Sequence, residues 1–252
     1  ESFKQGVIVA HLRPRMHHYY YFHNVAVMIA YQLSMNKYAL LPLISLFKKH
    51  IVVTRGNLRF KLPTKYVYRY RMTEPPLQFL KKQIGVSDIL IDIGAHVGAY
   101  CLSVPCESWA FEPAEETFAL LKENVQINGR SNIHPLKIAL SNKEGEATLN
   151  IFSQSGLTSI MRAEGAKSTE VVPIQTLDAM VKQYDIKPTF IKIDVEGHEM
   201  EVLEGGRETL ISYKPALLIE GEFEKLDATL APLGYRGTSI SHSNHFFEGF
   251  SN

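Results

Sequence analysis

Cysteine is nearly absent from this chain: Cys101 and Cys106 are the only two in 252 residues. Two thiols cannot frame a secreted disulfide scaffold, and they read as reduced side chains in a cytoplasmic setting. Excess charge of either sign is missing too. Lys and Arg number 27 against 26 Asp and Glu, a formal net charge of +1, so no whole-chain attraction to nucleic acid or an anionic membrane is expected. No Cys/His pairs stand at zinc spacing. No apolar run is long enough to span a membrane. The best stretch, 19–36, lacks charges but holds His23, Asn24, Gln32 and Ser34, short of the roughly 20 mainly apolar residues a span needs. It reads as a helix packed on the protein. No signal peptide, internal repeat or low-complexity tract is evident. An initiator Met is lacking as well, so Glu1 reads as the start of a piece of a longer polypeptide whose other domains are expected partners.

Glycine, in contrast, stands where it carries meaning. Ile89-Leu90-Ile91-Asp92-Ile93-Gly94-Ala95-His96-Val97-Gly98 is an apolar run ending in Asp-x-Gly-x-x-x-Gly. It reads as a buried parallel strand that turns sharply into a helix, whose free N–H groups and positive dipole end face a ligand. Trp109-Ala110-Phe111-Glu112 then ends a second strand in a carboxylate. In doubly wound sheets an acid at that place takes ribose hydroxyls, so a nucleoside cofactor is expected. Dinucleotide enzymes carry G-x-G-x-x-G, whose second glycine admits a pyrophosphate. Here His96 fills that position, which favours a nucleoside with an uncharged linker such as S-adenosylmethionine.

At this length, one large domain or one domain with an appendage is expected. Residues 1 to about 48 read as helical, with Val25, Ile29 and Leu33 on one face and a second short helix from Tyr38. Residues 51–54 and 58–62 read as a hairpin closed by Pro63. From Glu74 the pattern becomes helix, strand, helix, strand. Helices are predicted at 75–84, 114–128, 175–184 and 198–211, and strands at 88–93, 108–112, 133–139, 189–194 and 216–220. Pro105 limits the helix after the glycine turn to a turn or two. Gly129 closes the second helix. Residues 144–173 read as a hairpin excursion with a loop at 153–159, and the tail around Gly234 and Phe246 as an antiparallel hairpin. The expected fold is α/β: a mostly parallel, seven-stranded sheet covered on both faces, with a terminal antiparallel hairpin. The expected domains are an N-terminal helical and hairpin extension, 1–72, and a cofactor-binding domain, 73–252.

Four elements occur in order: Asp92 to Gly98, Phe111-Glu112-Pro113, Leu121-Lys122-Glu123-Asn124-Val125, and Lys192-Ile193-Asp194-Val195-Glu196-Gly197-His198-Glu199 with Val202-Leu203 and Gly205 behind it. This series resembles the FkbM family of S-adenosylmethionine-dependent O-methyltransferases over about 73–222. The resemblance implies the Rossmann-like class I methyltransferase fold and a hydroxyl acceptor on a sugar, a glycan or a related small natural product. It implies that Glu112 binds the ribose, that Asp92, Gly94, Ala95, His96 and Gly98 face the methionine part, that Glu74 lies near the cofactor, and that Ala139, Leu140 and Ser141 flank the adenine. One departure is the short segment between Gly98 and Phe111, which should leave that side of the pocket open.

The predicted strand ends bring Asp92, Asp194 and Glu220 to one crevice. Transfer of a methyl group to a hydroxyl needs an aligned acceptor, a base and exclusion of water. Asp194, Glu196 and His198 are the candidate catalytic residues. Asp194 equally suits a helix cap, Glu196 a hydrogen bond to its turn, and His198, though of suitable basicity, a solvent-facing helix position. Lys192 reads as the charge partner that holds Asp194 in place. Asp194 with Glu220 and Glu222 offers hard oxygen donors for Mg²⁺, but no spacing demands a metal, and none is the favoured reading. Arg13, Arg15, His17, His18 and the aromatic run 19–22 suit an acceptor platform or plain packing, and the Thr158-Ser159 pair suits contact with acceptor hydroxyls. Two rivals stay open: an NAD-dependent oxidoreductase, and a cofactor-binding module without chemistry. Nucleic acid is not an expected partner, since no Asn-Pro-Pro-aromatic element follows the fourth strand.

Overall fold

The computed structural model describes residues 9–11, 49–64, 67, 72–152, 158–160 and 164–250. The chain divides into two compact units, Glu1–Met72 and Thr73–Asn252. In the first, β1 (Val9–His11) runs parallel to β2 (His50–Arg55), which pairs antiparallel with β3 (Leu58–Pro63). Alternation buries Phe60 and Leu62 and leaves Arg59 in water. The expected hairpin is thus present. Helix across 1–48 is corrected at Val9–His11, where pairing along the edge of β2 overrides local preference. The other helical readings there, with the Arg13 to Phe22 platform, lie outside the described residues.

The second unit opens with α1 (Pro75–Gln83), whose two prolines sit in the first turn where no amide partner is lost. Next come β4 (Ile89–Ile93), α2 (Ala99–Ser103), β5 (Glu107–Phe111), α3 (Glu115–Ile127) and β6 (Ile133–Leu136). Gly129, with φ +62°, ends α3. Pro135 is tolerated in β6 because that strand is the sheet edge. After the excursion described below, α4 (Leu177–Gln183) starts at Thr176, whose Oγ1 accepts the Ala179 N–H at 3.1 Å. β11 (Phe190–Ile193) and β12 (Ala216–Glu220) follow, and β13 (Tyr235–Ser239) and β14 (Asn244–Gly249) close the chain, with α7 (Phe223–Leu230) between β12 and β13.

These strands form a seven-stranded sheet in the order β13-β14-β12-β11-β4-β5-β6. The five from β12 to β6 are parallel and the β13–β14 hairpin is antiparallel. This is the expected mixed α/β architecture. Ile91, Ile93, Ile191, Ile193, Leu217 and Ile219 are almost wholly buried at its centre, each burial contributing about 1.5–3 kcal/mol before entropy. Among the described residues no helix is long and apolar enough to cross a membrane.

Two predictions are corrected. Strand three does not run from 133 to 139: β6 stops at Leu136 and the chain enters a second, four-stranded sheet through β7 (Ala139–Ser141). There β7 pairs parallel with β10 (Ser168–Thr176), β10 pairs antiparallel with β8 (Gly145–Ile151), and β9 (Thr158–Ser159) flanks β8. The helix expected over 198–211 is two, α5 (Glu199–Gly205) and α6 (Arg207–Tyr213). Close packing forces the break. A Cβ on Gly205 would lie 2.0 Å from the Ser141 carbonyl oxygen, and one on Gly206 2.6 Å from Leu177.

Candidate active site

Parallel register places Lys192 of β11 beside Asp92 of β4. Its ammonium donates to the Gly94 carbonyl at 3.0 Å and lies 3.5 Å from Asp92 Oδ1 and 3.3 Å from Asp194 Oδ2. It also sits 4.9 Å above the Tyr100 ring. Asp92 is fully buried, and its Oδ2 accepts the Cys101 N–H of α2 at 3.2 Å. Burial alone would lower the Lys192 ammonium, but Asp194 and Asp92 outweigh it and hold the group protonated. Burial pushes the Asp92 carboxyl up, against the pull of Lys192. One buried cation therefore ties the ends of two strands to the glycine turn.

The turn is held from every side. Gly94 has φ +75°, and a Cβ there would fall 1.8 Å from the Asp194 carbonyl oxygen, so the close approach of β11 requires glycine. The Gly94 and Ala95 amides both donate to the Phe111 carbonyl at 3.0 Å. His96 is left-handed at φ +53°, and its N–H donates to Glu112 Oε2 at 2.8 Å. Glu112 Oε1 accepts from Thr117 Oγ1 at 2.7 Å and from the Ala114 N–H at 3.1 Å. Glu112, expected to take the ribose, is thus nearly buried and organises the turn. Its Oε2 keeps lone-pair capacity beyond the one amide. Burial lowers the His96 imidazole to about 4, so it is neutral near pH 7. Gly98, at φ +90°, leads into α2.

Across the turn lies an acidic edge. The Asp194 side chain is 31% exposed. Glu196 follows in left-handed backbone, φ +54°, and Gly197 has φ +97°. Glu199 Oε1 accepts the Val195 and Gly197 amides at 3.3 and 3.0 Å. Glu220 is half-buried and accepts from Ser243 Oγ at 3.1 Å. The packed protein around it, then Asp194, Glu220 and Glu199, push the Glu196 carboxyl up to about 7, although the side chain reaches the surface. Glu220 is raised by burial and by Asp194. Glu74, exposed just ahead of α1, acts on the Tyr100 hydroxyl together with Asp194 and Asp92. Asp194, Glu196 and Glu220 thus share one acidic edge, with Asp92 buried beside Lys192, while Glu74 acts on the Tyr100 hydroxyl.

His198 is not on that edge. The ring is buried, with Nε2 2.9 Å from Ser141 Oγ and Nδ1 3.5 Å from the Glu201 carboxylate. Burial lowers it, and the charges acting on it are Glu201, Glu199 and Lys143. It ties α5 to β7, neither facing solvent nor joining the carboxylate edge. Ala139, Leu140 and Ser141 are buried in β7. The strand end beside Glu112 is Leu136, whose carbonyl accepts the Glu112 N–H at 3.1 Å. Ser159 is buried, with its hydroxyl turned inward to the Glu196 carbonyl at 3.0 Å. The motif pattern does not single out Tyr100, two residues past Gly98. Among the described residues no three His, Cys, Asp or Glu side chains form a metal-holding group, and Glu222 pairs with Lys225 at 2.6 Å.

Residues 92–236 match the methyltransferase FkbM domain. The hexuronic acid methyltransferase AglP of Haloferax volcanii is 31% identical over 134 residues, covering 51% of this chain and 54% of its own length. Methyltransferase 1 of Beauveria bassiana is 22% identical over 177 residues, 55% of this chain and 71% of its own. The chain spans about half the length of the first of these relatives. In fold it is similar to Methanocaldococcus jannaschii Trm5 in complex with adenosine, with a TM-score of 0.50 and 12% identity over 81% of this chain and 56% of the other. The match spans more than half of the chain, which therefore belongs to the methyltransferase FkbM domain family.

Proposed function

We propose that the chain is an S-adenosylmethionine-dependent O-methyltransferase acting on a sugar hydroxyl of a glycan or related natural product. The observation that carries the cofactor is the charge of the strand ends. Lys192, the buried cation of the site, is already matched by Asp92 and Asp194. Among the described residues, a pyrophosphate would meet Asp194, Glu196 and Glu220 with Lys192 already engaged. A sulfonium and an α-ammonium meet those carboxylates favourably. His96 in place of a second glycine supports the same choice. When bound, S-adenosylmethionine supplies an activated methyl group. Glu112 would take the ribose and the 94–98 turn would face the methionine part, with Glu74 near the cofactor and Asp92 buried behind the turn, holding Lys192.

On the acceptor side, Lys192 fixes Asp194, which orients the hydroxyl. Glu196, raised to about 7, is matched to removing its proton near neutral pH. His198 has no part in this scheme. Mg²⁺ has none either, because Asp194 is engaged by Lys192 and Glu220 by Ser243. A sugar acceptor is supported by the name of the Haloferax relative. The free, buried thiols of Cys101 and Cys106 support a reducing, cytoplasmic setting.

The test is transfer of label from methyl-tritiated S-adenosylmethionine to glucuronic-acid-containing oligosaccharides, followed by mild alkali. An ether methyl survives alkali and an ester methyl is released. Alkali-stable label is expected, because a uronate carboxylate would be repelled by Glu196 and Glu220. Alkali-labile label would overturn hydroxyl transfer in favour of carboxylate transfer.

A further inference from the structure

The Glu196 backbone is clamped from two directions. Glu199, at the start of α5, grips the amides on either side of Glu196, and Ser159, on β9, donates to the carbonyl of Glu196 itself. Ser159 belongs to the second sheet, outside the elements that carry the family resemblance. It is anchored there by its register with Asn150 of β8, whose Nδ2 donates to the Ser159 carbonyl at 3.2 Å. A left-handed glutamate is strained and persists only where its surroundings over-determine it.

We infer that Ser159 is a positioning residue: its hydroxyl holds the Glu196 carbonyl so that the Glu196 carboxylate stays on the acidic edge where it takes the acceptor proton. The inference rests on the proposed role of Glu196. It gives the β8–β10 excursion a task, that of a strap linking the second sheet to the reactive edge. The charged groups around Glu196 are Lys192 from β11, Asp194 just after it, Glu220 from β12 and Glu199 from α5. Releasing the clamp lets Glu196 swing away from those carboxylates into water, so its acidity returns toward that of an ordinary glutamate.

The experiment is a carbon-13 NMR titration of the glutamate carboxyls in the whole chain, with Glu196 assigned by the signal lost in Glu196→Gln. Wild type should titrate near 7 at this residue. Ser159→Ala and the volume-conserving Ser159→Cys should each lower the Glu196 midpoint by about one pH unit or more, and Ser159→Thr, which keeps the hydroxyl, should restore it. S-adenosylhomocysteine affinity, read in parallel by calorimetry, should be unchanged by all three. An unshifted Glu196 in folded Ser159→Ala or Ser159→Cys would overturn the inference. So would loss of folding in both, which would show the hydroxyl to be needed for the fold and not for placing Glu196. Absence of S-adenosylhomocysteine binding in wild type would count against the cofactor alone, since the carboxyl titration reads Ser159 without it.

Discussion

Lys192 is the residue on which the strand ends depend. Removing it leaves fully buried Asp92 without its cation, and breaking a buried pair typically costs about 3–5 kcal/mol. Lys192→Met should lower the unfolding free energy by about that much in urea titration, and adding Asp92→Asn should recover part of it, because the two changes share one interaction. Glu196 makes a different prediction. Its folded value is about 7, above the 4.5 of an ordinary glutamate, so the folded state binds more protons between those values. Its contribution to stability is then fully present below about 4.5 and is lost as pH rises through about 7. The fall in unfolding free energy from pH 5 to 8 should be shallower in Glu196→Gln than in wild type. At this scale the sequence disclosed the charges and the Lys192–Asp194 pairing, but not every contact. Asp92, Asp194 and Lys192 were legible because strand alternation and motif order place them together. His198 was not, because one turn of helix decides whether a ring faces Asp194 or Ser141. Neither was the inward turn of Ser159, which depends on contact with a residue far along the chain.

Among the elements, glycine marks where two backbones touch. Gly94→Ala adds a Cβ 1.8 Å from the Asp194 carbonyl as well as strain at φ +75°. Gly129→Ala has comparable strain at φ +62° but open space around it. The second should cost about 1–2 kcal/mol. The first should cost clearly more, because β11 itself must move, and urea midpoints of the two variants read the difference. Equal losses would show the contact at Gly94 to be dispensable. The same logic explains which elements could be predicted. The βα alternation, the short α2 and the closing hairpin follow from apolar runs, Pro105 and turn residues, all local signals. Strand three looked continuous because Ala139 and Leu140 extend its apolar pattern, but their pairing partner is β10, some 35 residues on. The break between α5 and α6 comes from packing of Gly205 and Gly206 on β7 and α4, which no helical periodicity reports.

For the whole molecule, every residue assigned a role lies in the second unit, Thr73–Asn252. A 73–252 fragment should therefore fold alone and bind S-adenosylhomocysteine within about threefold of the full chain, a difference of less than 1 kcal/mol. Loss of binding in a folded fragment would assign residues 1–72 a share of the cofactor site. A glycine turn packed against an acidic strand edge should take an S-adenosyl nucleoside and refuse a dinucleotide. Calorimetric titration of the chain with S-adenosylhomocysteine, beside NAD under the same conditions, tests it most directly. Saturable binding of S-adenosylhomocysteine with no heat from NAD is the predicted result. Preference for NAD, or no binding of either, would rule out an S-adenosyl cofactor at this turn.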